Sequence, residues 1–376
     1  MDPRTPVSQL RSLFPALSRV TYLNTATTAP GAAPVVEALR RAQDAWASAR
    51  FDWGGWEADA EATRALFARL VGGRAEEVAL VTSLAEAAAS VAASLSPGRV
   101  VVGAREFRSN LFPWLALARR GFEIVEIPAS DGVVSTEAFC SALRPGTVLA
   151  AVSEVQSSNG FRVRLSQIGA RCREIGARLF VDVSQSLGVL RFDATDAGAD
   201  YVGAHGYKWL LAPRGASWLW VRSERVPELR PLAPSWKSVE SPFADFYGGP
   251  IEPLLASSAR RLDASLAWFS WVGARAALSL VTSLDGEAVE RRCLGLAAAF
   301  RSAAAERGLV PAPVEIPSQT VALTVPDPEA LRAQLSERGI VAAVRGSSLR
   351  LGFHAFNDET DVTAALAALD GAPVRS

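Results

Sequence analysis

The chain has few of the residues that build metal sites and disulfide frameworks. Its 376 residues include three cysteines and two histidines, and no two cysteines have the CxxC spacing. Structural zinc sites need four such ligands at short spacings, and disulfide-rich folds need paired cysteines. The composition therefore predicts no metal site and no disulfide framework, and the three thiols suit a reducing compartment.

Excess charge and long apolar segments are also missing. Lysine plus arginine and aspartate plus glutamate both total 39, so no global field favours nucleic acid or an anionic membrane. The first residues, Met-Asp-Pro-Arg-Thr-Pro, lack the basic and apolar regions of a signal peptide. No apolar run without charges approaches membrane-spanning length. We expect a cytoplasmic protein with a small-molecule partner and no nucleic-acid or membrane partner.

The glycine motifs of nucleotide-binding proteins do not occur either. No GxGxxG sequence opens a helix after a strand, and no GxxxxGK[ST] sequence is present, so dinucleotide and P-loop sites lose their main support.

The length of the chain limits the number of domains. Its 376 residues and 39.9 kDa are enough for a sizeable core. One large and one small domain are the natural expectation.

Seven apolar or β-branched runs alternate with helical stretches in the middle of the chain. Continuous apolar strands separated by helices indicate an α/β fold with a mostly parallel sheet that is covered on both faces. The predicted strands are Val78–Thr82, Val100–Gly103, Ile124–Ile127, Val148–Val152, Leu179–Val183, Tyr201–Ala204 and Ser217–Val221. The helices between them are Leu84–Leu95, Leu111–Arg120, Ser135–Leu143 and Leu165–Ile175.

The two ends of the chain have a different organisation. An amphipathic piece near the start predicts an arm over residues 1–20, and Phe51–Trp56 is expected to break the helix that begins near Ala32. After a proline-rich stretch, the pattern predicts helices at Leu262–Ser283 and Gly286–Arg307, followed by short strands and two more helices. We therefore predict a large domain over 21–257 and a smaller α+β domain over 258–376, whose first helix packs on the large domain.

Asp182 lies near the end of one predicted strand, and Lys208 follows another. Ligands of open parallel sheets bind at the carboxyl ends of the strands, so the acid and the amine are expected at one edge. A partly desolvated lysine is a good Schiff-base nucleophile. A carboxylate 26 residues earlier (208 − 182) is able to keep a pyridinium nitrogen protonated. The pair predicts pyridoxal phosphate chemistry; the alternatives are a solvated lysine and a helix-capping aspartate.

Two longer motifs surround these residues, Val181-Asp-Val-Ser-Gln-Ser-Leu-Gly and Gly203-Ala-His-Gly-Tyr-Lys-Trp-Leu-Leu-Ala-Pro-Arg-Gly-Ala. Together they resemble the class V aminotransferase family of fold-type I pyridoxal phosphate enzymes, which includes cysteine desulfurases, selenocysteine lyases, isopenicillin N epimerases and carbon-sulfur lyases. The resemblance extends from Tyr22-Leu-Asn-Thr-Ala to Phe356-Asn-Asp-Glu-Thr-Asp-Val. It implies a pyridoxal 5'-phosphate cofactor and a homodimer with its active site at the subunit interface.

The resemblance also implies roles for individual residues. Lys208 would bond to the cofactor and carry the α-proton, Asp182 would pair with the pyridine nitrogen, and Gln185 would contact the phenolic oxygen. Arg350 would bind the substrate carboxylate, a task suited to a guanidinium group; its alternative is a surface arginine. Further cofactor contacts would come from His205, Tyr207, Phe107, Ser83, Leu84, Ala85 and, in the neighbouring subunit, Ser265; polar contacts to cofactor or substrate would come from Gln156 and Ser157.

Several side chains are candidates for the wall of the substrate pocket. They suggest aromatic walls and spare positive charge, suited to a substrate larger than cysteine, although each is equally able to serve as a packing residue. These candidates are Thr27, Trp53, Trp56, Phe107, Arg108, Arg162 and Trp268.

The chain departs from the family pattern in two places. Leu84 and Ala85 replace a Thr-Thr or Ser-Thr pair of the phosphate site and offer backbone groups only. The loop Val344-Arg-Gly-Ser-Ser-Leu lacks the cysteine that desulfurases use to accept sulfur, and all three cysteines fall in helical patterns, where buried thiols are inert. We therefore expect β-elimination from a cysteine-type substrate; the alternatives are an aminotransferase or epimerase of secondary metabolism and, least favoured, a non-catalytic relative.

Overall fold

The strands and helices of the chain are taken from a computed structural model, which describes residues 6–250 and 254–370. Its strands are β1 (Thr21–Tyr22), β2 (Val78–Val81), β3 (Arg99–Gly103), β4 (Glu123–Ile127), β5 (Thr147–Ser153), β6 (Arg178–Asp182), β7 (Tyr201–His205), β8 (Ser217–Val221), β9 (Val310–Pro311), β10 (Thr320–Thr324), β11 (Ile340–Val341), β12 (Ala343–Arg345) and β13 (Ser348–Gly352). Its α-helices are α1 (Ala33–Ala47), α2 (Trp53–Val71), α3 (Leu84–Ser94), α4 (Arg108–Leu115), α5 (Thr136–Ala142), α6 (Leu165–Ile175), α7 (Trp268–Ser283), α8 (Gly286–Glu306), α9 (Pro328–Glu337) and α10 (Glu359–Leu369).

Seven strands form the central sheet in the order β2-β8-β7-β6-β5-β3-β4. The pairs from β7 to β4 are parallel, whereas β8 runs antiparallel to both of its neighbours. Strands β2, β7 and β8 are buried along their whole length, as expected for a sheet with helices on both faces. All seven predicted strands and the mostly parallel α/β fold are confirmed.

The register of the sheet explains why Asp182 and Lys208 meet. Strands β6 and β7 are parallel neighbours, and Asp182, the last residue of β6, lies opposite Gly203. Lys208 follows the end of β7 by three residues. Because parallel strands end at the same edge of a sheet, the acid and the amine reach the same edge from adjacent strands.

A second sheet, in the order β12-β13-β10-β9, packs with α8, α9 and α10 around its own apolar core. Strand β13 also approaches the start of the chain, because the Gly352 N–H donates to the Leu23 carbonyl at 2.8 Å and Gly352 forms a bridge with Asn24. Because of this contact, Arg350 on β13 lies close enough to Thr27 to form a hydrogen bond with it.

Three helix boundaries differ from the predictions. The predicted break at Phe51–Trp56 lies slightly earlier in the chain, since α1 ends at Ala47 and α2 begins at Trp53. Gly54 and Gly55 fall in the first turn of α2, where the amide groups lack intrahelical partners in any sequence. Helix α7 begins at Trp268 rather than Leu262, because the Asp263 carboxylate is held by buried bonds to Arg64 and to the Leu80 amide.

Helix α4 begins at Arg108, three residues before the predicted start at Leu111, and becomes a 3-10 helix at Ala116. Pro113 lies inside α4 and has no amide hydrogen for the helical ladder.

The predicted N-terminal arm contains two 3-10 helices, Val7–Leu13 and Pro15–Ser18, which bury Leu10, Phe14 and Leu17 in the main core. Residues 1–5, 251–253 and 371–376 of the predicted arm and domains lie outside the described residues. The division into 1–20, 21–257 and 258–376 stays a prediction. No helix in the described ranges is long and apolar enough to cross a membrane.

Candidate active site

Lys208 and Asp182 are both buried at the carboxyl edge of the central sheet, each with 5% of its surface exposed. Burial lowers the pKa of Lys208 to about 8; the Asp182 charge opposes this shift, while the charges of Arg350 and Arg345 add to it. Burial also raises the pKa of Asp182, against a hydrogen bond from the Ser184 amide at 2.8 Å. A lysine with this pKa is partly neutral near physiological pH, as a nucleophile or a base must be.

Two aromatic rings flank the amine. The Lys208 Nζ lies 5.4 Å from the centre of the Phe107 ring and 5.7 Å from that of Tyr207. Phe107 keeps 45% of its surface exposed, so one ring face is open beside the lysine. The cavity in front has a volume of about 540 Å³ and is lined by residues that include Thr27, Phe107, Ser157, Tyr207, Lys208 and Arg345. The site thus has room for a planar ring stacked on Phe107.

A second carboxylate, Glu106, lies behind Asp182. It accepts hydrogen bonds from the Ser153 amide at 2.7 Å, from the Ser153 hydroxyl and from Asn110 at 2.9 Å. The Ser153 hydroxyl also lies 3.4 Å from Asp182 Oδ2, so it connects the two acids. Burial, together with the Asp182 charge, raises the pKa of Glu106 to about 7 despite these hydrogen bonds. Glu106 was missed in the sequence, although it follows β3 at the same sheet edge.

Three hydrogen bonds fix the side-chain amide of Gln185. Its amide nitrogen donates to the Ala26 carbonyl at 3.0 Å and to the Ser157 hydroxyl at 2.9 Å, and its oxygen accepts from the Trp209 indole at 2.9 Å. Through Trp209 and Ser157 it joins the lysine segment to the wall of the cavity. A contact from Gln185 to the cofactor oxygen stays a prediction.

The two neighbouring candidates Gln156 and Ser157 point in different directions. Ser157 lines the cavity, whereas the buried Gln156 amide donates to the Val134 carbonyl at 2.8 Å. Both residues lie in the turn after β5. Gln156 is not among the residues that line the cavity, and its contact with a substrate stays a prediction.

The predicted phosphate contacts surround the lysine segment. His205 is buried, its Nδ1 lies 3.2 Å from the Ser217 hydroxyl, and burial together with Lys208 and Arg214 lowers its pKa to about 3, so the ring is neutral. Tyr207 lines the cavity. Ser83 caps helix α3 by accepting from the Glu86 amide, and the adjacent Leu84 and Ala85 open that helix, whose positive end suits an anion.

Other predicted wall residues lie elsewhere. Trp53 contacts the rings of Phe243 and Phe246, and Trp56 contacts those of Trp268 and Phe269. Arg108 lies over the ring of Phe112, and Arg162 pairs with Glu154 at 2.8 Å. None of these five lines the cavity. Within this chain the three tryptophans pack against other rings and Arg162 pairs with a carboxylate; a role for any of them in the substrate pocket stays a prediction.

Ser265 also lies away from the lysine within its own chain. Its hydroxyl accepts a hydrogen bond from the Trp236 indole at 3.1 Å. Its contact with the phosphate of a neighbouring subunit stays a prediction.

Arg350 is the most enclosed cation of the site, with 1% of its surface exposed. Its guanidinium donates to the Thr27 hydroxyl at 2.9 Å and to the Ser157 carbonyl, while Nε has no partner in the described residues. Burial and the nearby Arg345 lower the pKa of Arg350 to about 9. An arginine so placed, with no carboxylate paired to it in the described ranges, is suited to receive one from a ligand.

The three thiols lie apart from the cavity. Cys140 is half-buried and Cys172 and Cys293 are buried, in helices α5, α6 and α8 respectively. Burial raises the pKa of all three, that of Cys172 to about 12. A thiol with a raised pKa carries little thiolate and is a poor nucleophile.

Comparisons with known proteins identify the family of the chain. The aminotransferase class-V family model matches residues 21–364. The uncharacterized aminotransferase YcbU of Bacillus subtilis is 30% identical over 365 residues, which cover 95% of this chain and 96% of that protein. An isopenicillin N epimerase of Amycolatopsis lactamdurans is 27% identical over 329 residues, with 80% and 81% of the two chains covered.

Solved structures share the fold. An apo cysteine desulfurase from Thermococcus onnurineus superposes with a TM-score of 0.84 at 20% identity, covering 96% of each chain. The cystine C-S lyase C-DES, in complex with cysteine persulfide, gives a TM-score of 0.85 at 21% identity and covers 96% of this chain and 99% of that one.

Proposed function

Since the chain belongs to the aminotransferase class-V family of pyridoxal phosphate enzymes, we propose that it is a carbon-sulfur lyase that catalyses β-elimination on a cysteine-type amino acid. The observation that carries the proposal is the composition of the cavity. A lysine with a lowered pKa faces an open aromatic ring and a buried carboxylate, while the three thiols lie in helices with raised pKa values.

The residues of the cavity fit the cofactor. Bound pyridoxal phosphate supplies an electron sink that makes the α-proton of an attached amino acid acidic. Lys208 would hold the cofactor covalently, Asp182 would keep its ring nitrogen protonated, and the exposed face of Phe107 would stack on the ring. Gln185, His205, Tyr207, the residues Ser83 to Ala85 and Ser265 of the second subunit are the proposed remaining contacts.

Substrate binding is assigned to the side opposite Asp182. Arg350, with Thr27 and Ser157 fixing its guanidinium, would bind the α-carboxylate. The amine of Lys208 would then take the proton from the α-carbon, and the bond from the β-carbon to sulfur would break with its electron pair on sulfur, which leaves as a thiol after protonation. The remaining aminoacrylate hydrolyses in water to pyruvate and ammonia, so no oxidant or reductant is required.

Sulfur transfer to the enzyme is disfavoured by the same geometry. A persulfide route needs a thiolate within reach of the substrate sulfur. The part of the chain that the structure describes places no cysteine in the wall of the Lys208 cavity. The sulfur-containing product is therefore expected to leave without being bound to the protein.

An aminotransferase is the second candidate, because the relative that covers 95% of this chain carries that description. Transamination uses the same lysine, aspartate and arginine and differs in where the proton returns. An epimerase differs again, because it must return the proton to the opposite face of the α-carbon. Phe107, the ring beside Lys208, has no acidic proton to supply for that step. We further propose a cytoplasmic homodimer.

The test is a product assay with and without an acceptor. A first sample of the purified protein is reduced with borohydride, and the peptide that retains the cofactor is identified by mass spectrometry; we expect it to contain Lys208.

A second, unreduced sample is incubated with S-substituted L-cysteines, and pyruvate is measured with lactate dehydrogenase. Pyruvate without a 2-oxo acid supports the lyase, whereas turnover that requires the acceptor replaces it with the aminotransferase.

Two controls complete the assay. A variant with Cys140, Cys172 and Cys293 all changed to alanine should keep its turnover within about twofold, since no thiol takes part. Lys208→Ala should retain no cofactor after borohydride. Loss of turnover in the cysteine-free variant, with its fold intact, would restore the persulfide route.

A further inference from the structure

Two guanidinium groups converge on one hydroxyl at the mouth of the cavity. The Thr27 Oγ1 accepts a hydrogen bond from Arg345 at 2.8 Å and another from Arg350 at 2.9 Å. A threonine hydroxyl has two acceptor positions and one proton of its own. Because both acceptor positions are taken by the arginines, the Thr27 proton is left to donate, and an anionic group is the natural acceptor beside two cations.

The positive charge at this point is not balanced within the chain. Neither Arg345 nor Arg350 pairs with a carboxylate in the ranges that the structure describes; apart from Thr27, their guanidinium groups donate to Val344 and to Ser157. The charge of Arg345 contributes to the lowered pKa of Arg350. Like charges held this close need an external counter-charge.

Arg345 is placed to meet a different part of the ligand from Arg350. Arg345 is half-buried on β12 and itself lines the cavity, whereas Arg350 is almost fully enclosed on β13 and reaches the cavity through Thr27 and Ser157. Neither acid at this sheet edge pairs with the arginines: the charge of Asp182 acts on Lys208, and Glu106 bonds to Ser153 and Asn110. One substrate carboxylate therefore compensates one of the two arginines and leaves the other unpaired.

We propose that Arg345 is a specificity-determining residue and that the substrate is an amino acid with a second anionic group on its side chain. The proposal rests on the proposed function, in which Arg350 holds the α-carboxylate, and it adds the chemical class of the side chain. Carboxylate, sulfinate and sulfonate groups share the required chemistry, namely a negative charge and several acceptor oxygens for a guanidinium fork.

The test uses unreactive ligands that differ in one charge. Succinate and butyrate both have four carbons, but succinate carries two carboxylates; neither has an amino group, so neither turns over. Binding to the holoenzyme is measured by isothermal titration calorimetry. We expect succinate to bind about tenfold or more tightly than butyrate, the effect of about one charged hydrogen bond, and the preference should shrink as salt is added.

Three variants test which arginine causes the preference for succinate. Arg345→Gln should bind butyrate within about twofold of the wild type but lose the preference for succinate. Arg350→Gln should bind both ligands more weakly. Arg41→Gln, an exposed arginine paired with Glu37 on α1, is the matched control and should behave as the wild type. Urea unfolding of each variant checks that the fold is intact.

The outcomes separate this proposal from the proposed function. Equal binding of the two ligands by the wild type, or no binding of either, overturns the second anion site. An equal loss for both ligands in Arg345→Gln also overturns it, because both arginines would then hold a single carboxylate. Absence of pyruvate formation with S-carboxymethyl- or S-ethyl-L-cysteine concerns only the reaction, and the ligand preference is measured independently of it.

Discussion

Buried lysine and arginine occur in two regions of this chain, and the two regions treat them in opposite ways. Beneath α2, the fully buried Lys237 contacts Glu57 at 2.6 Å and Glu61 at 3.3 Å. Arg64 binds Glu61 at 2.9 Å and also contacts Asp263. We call this set the ionic network. Although burial opposes it, the carboxylates raise the pKa of Arg64.

In the cavity, Lys208 and Arg350 form no ion pair with a carboxylate of the described residues, and Asp182 acts on Lys208 only through its charge. Lys208 and Arg350 are as deeply buried as Lys237 and Arg64, yet burial and neighbouring cations lower their pKa values to about 8 and about 9. A buried pair compensates its own charges, and removal of one partner costs about 3 to 5 kcal/mol because the other charge is left uncompensated. The ionic network is therefore complete within the chain, whereas the cavity leaves its cations to a cofactor and a substrate.

The largest expected effect comes from exchanging one buried lysine in each region for methionine. Lys208→Met should lower turnover about a thousandfold, because it removes the nucleophile and the proton carrier. Lys237→Met should keep turnover within about twofold below its unfolding transition, since it lies outside the site. Pyruvate release and urea unfolding measure the two properties. Comparable turnover losses in both variants at full folding would show that the regions do not differ in function.

A second exchange compares the arginines by stability alone. Arg64→Met should cost about 3 to 5 kcal/mol, because it leaves the buried Asp263 and the nearby Glu61 without their partner. Arg350→Met should cost less than about 1 kcal/mol, since the removed charge has no carboxylate partner in the described ranges and its burial is itself unfavourable. Urea unfolding of the apoenzymes gives both values. A cost for Arg350→Met that equals the cost for Arg64→Met would contradict the comparison.

The sequence predicted the parts of this molecule that depend on local pattern. The seven apolar runs became the strands of the central sheet, because fully buried strands are recognisable as continuous apolar segments. Asp182 and Lys208 were placed together because Asp182 ends one of these strands and Lys208 follows the next. The family match over residues 21–364 confirms the resemblance.

Tertiary contacts decided what the sequence did not predict. Arg345 reaches the cavity only because β13 pairs back to residues near Asn24, and no local pattern encodes that contact. The extended segment before α7 follows from the Asp263–Arg64 pair, whose members are 199 positions apart. Glu106 and Ser153 form a link behind Asp182 that requires the order of β3, β5 and β6 in the sheet.

The smallest expected effect concerns pH and the mutual influence of the cavity cations. In the apoenzyme Lys208 must be neutral to bond with added pyridoxal phosphate, so the rate of this bond formation should rise with pH through the lysine pKa of about 8. Arg345 is one of the charges that lower this pKa. Removing it stabilises the protonated amine, so Arg345→Gln should move the midpoint to higher pH, by less than about one unit.

The measurement is the absorbance change on adding the cofactor at a series of pH values, with Arg41→Gln as the control. Arg41 lies on the exposed face of α1 and pairs with Glu37, so its removal should leave the midpoint in place. A midpoint that stays fixed or falls in Arg345→Gln would mean that the Arg345 charge is already neutralised within the chain. The region would then resemble the ionic network, and the case for an anionic substrate side chain would lose its electrostatic basis.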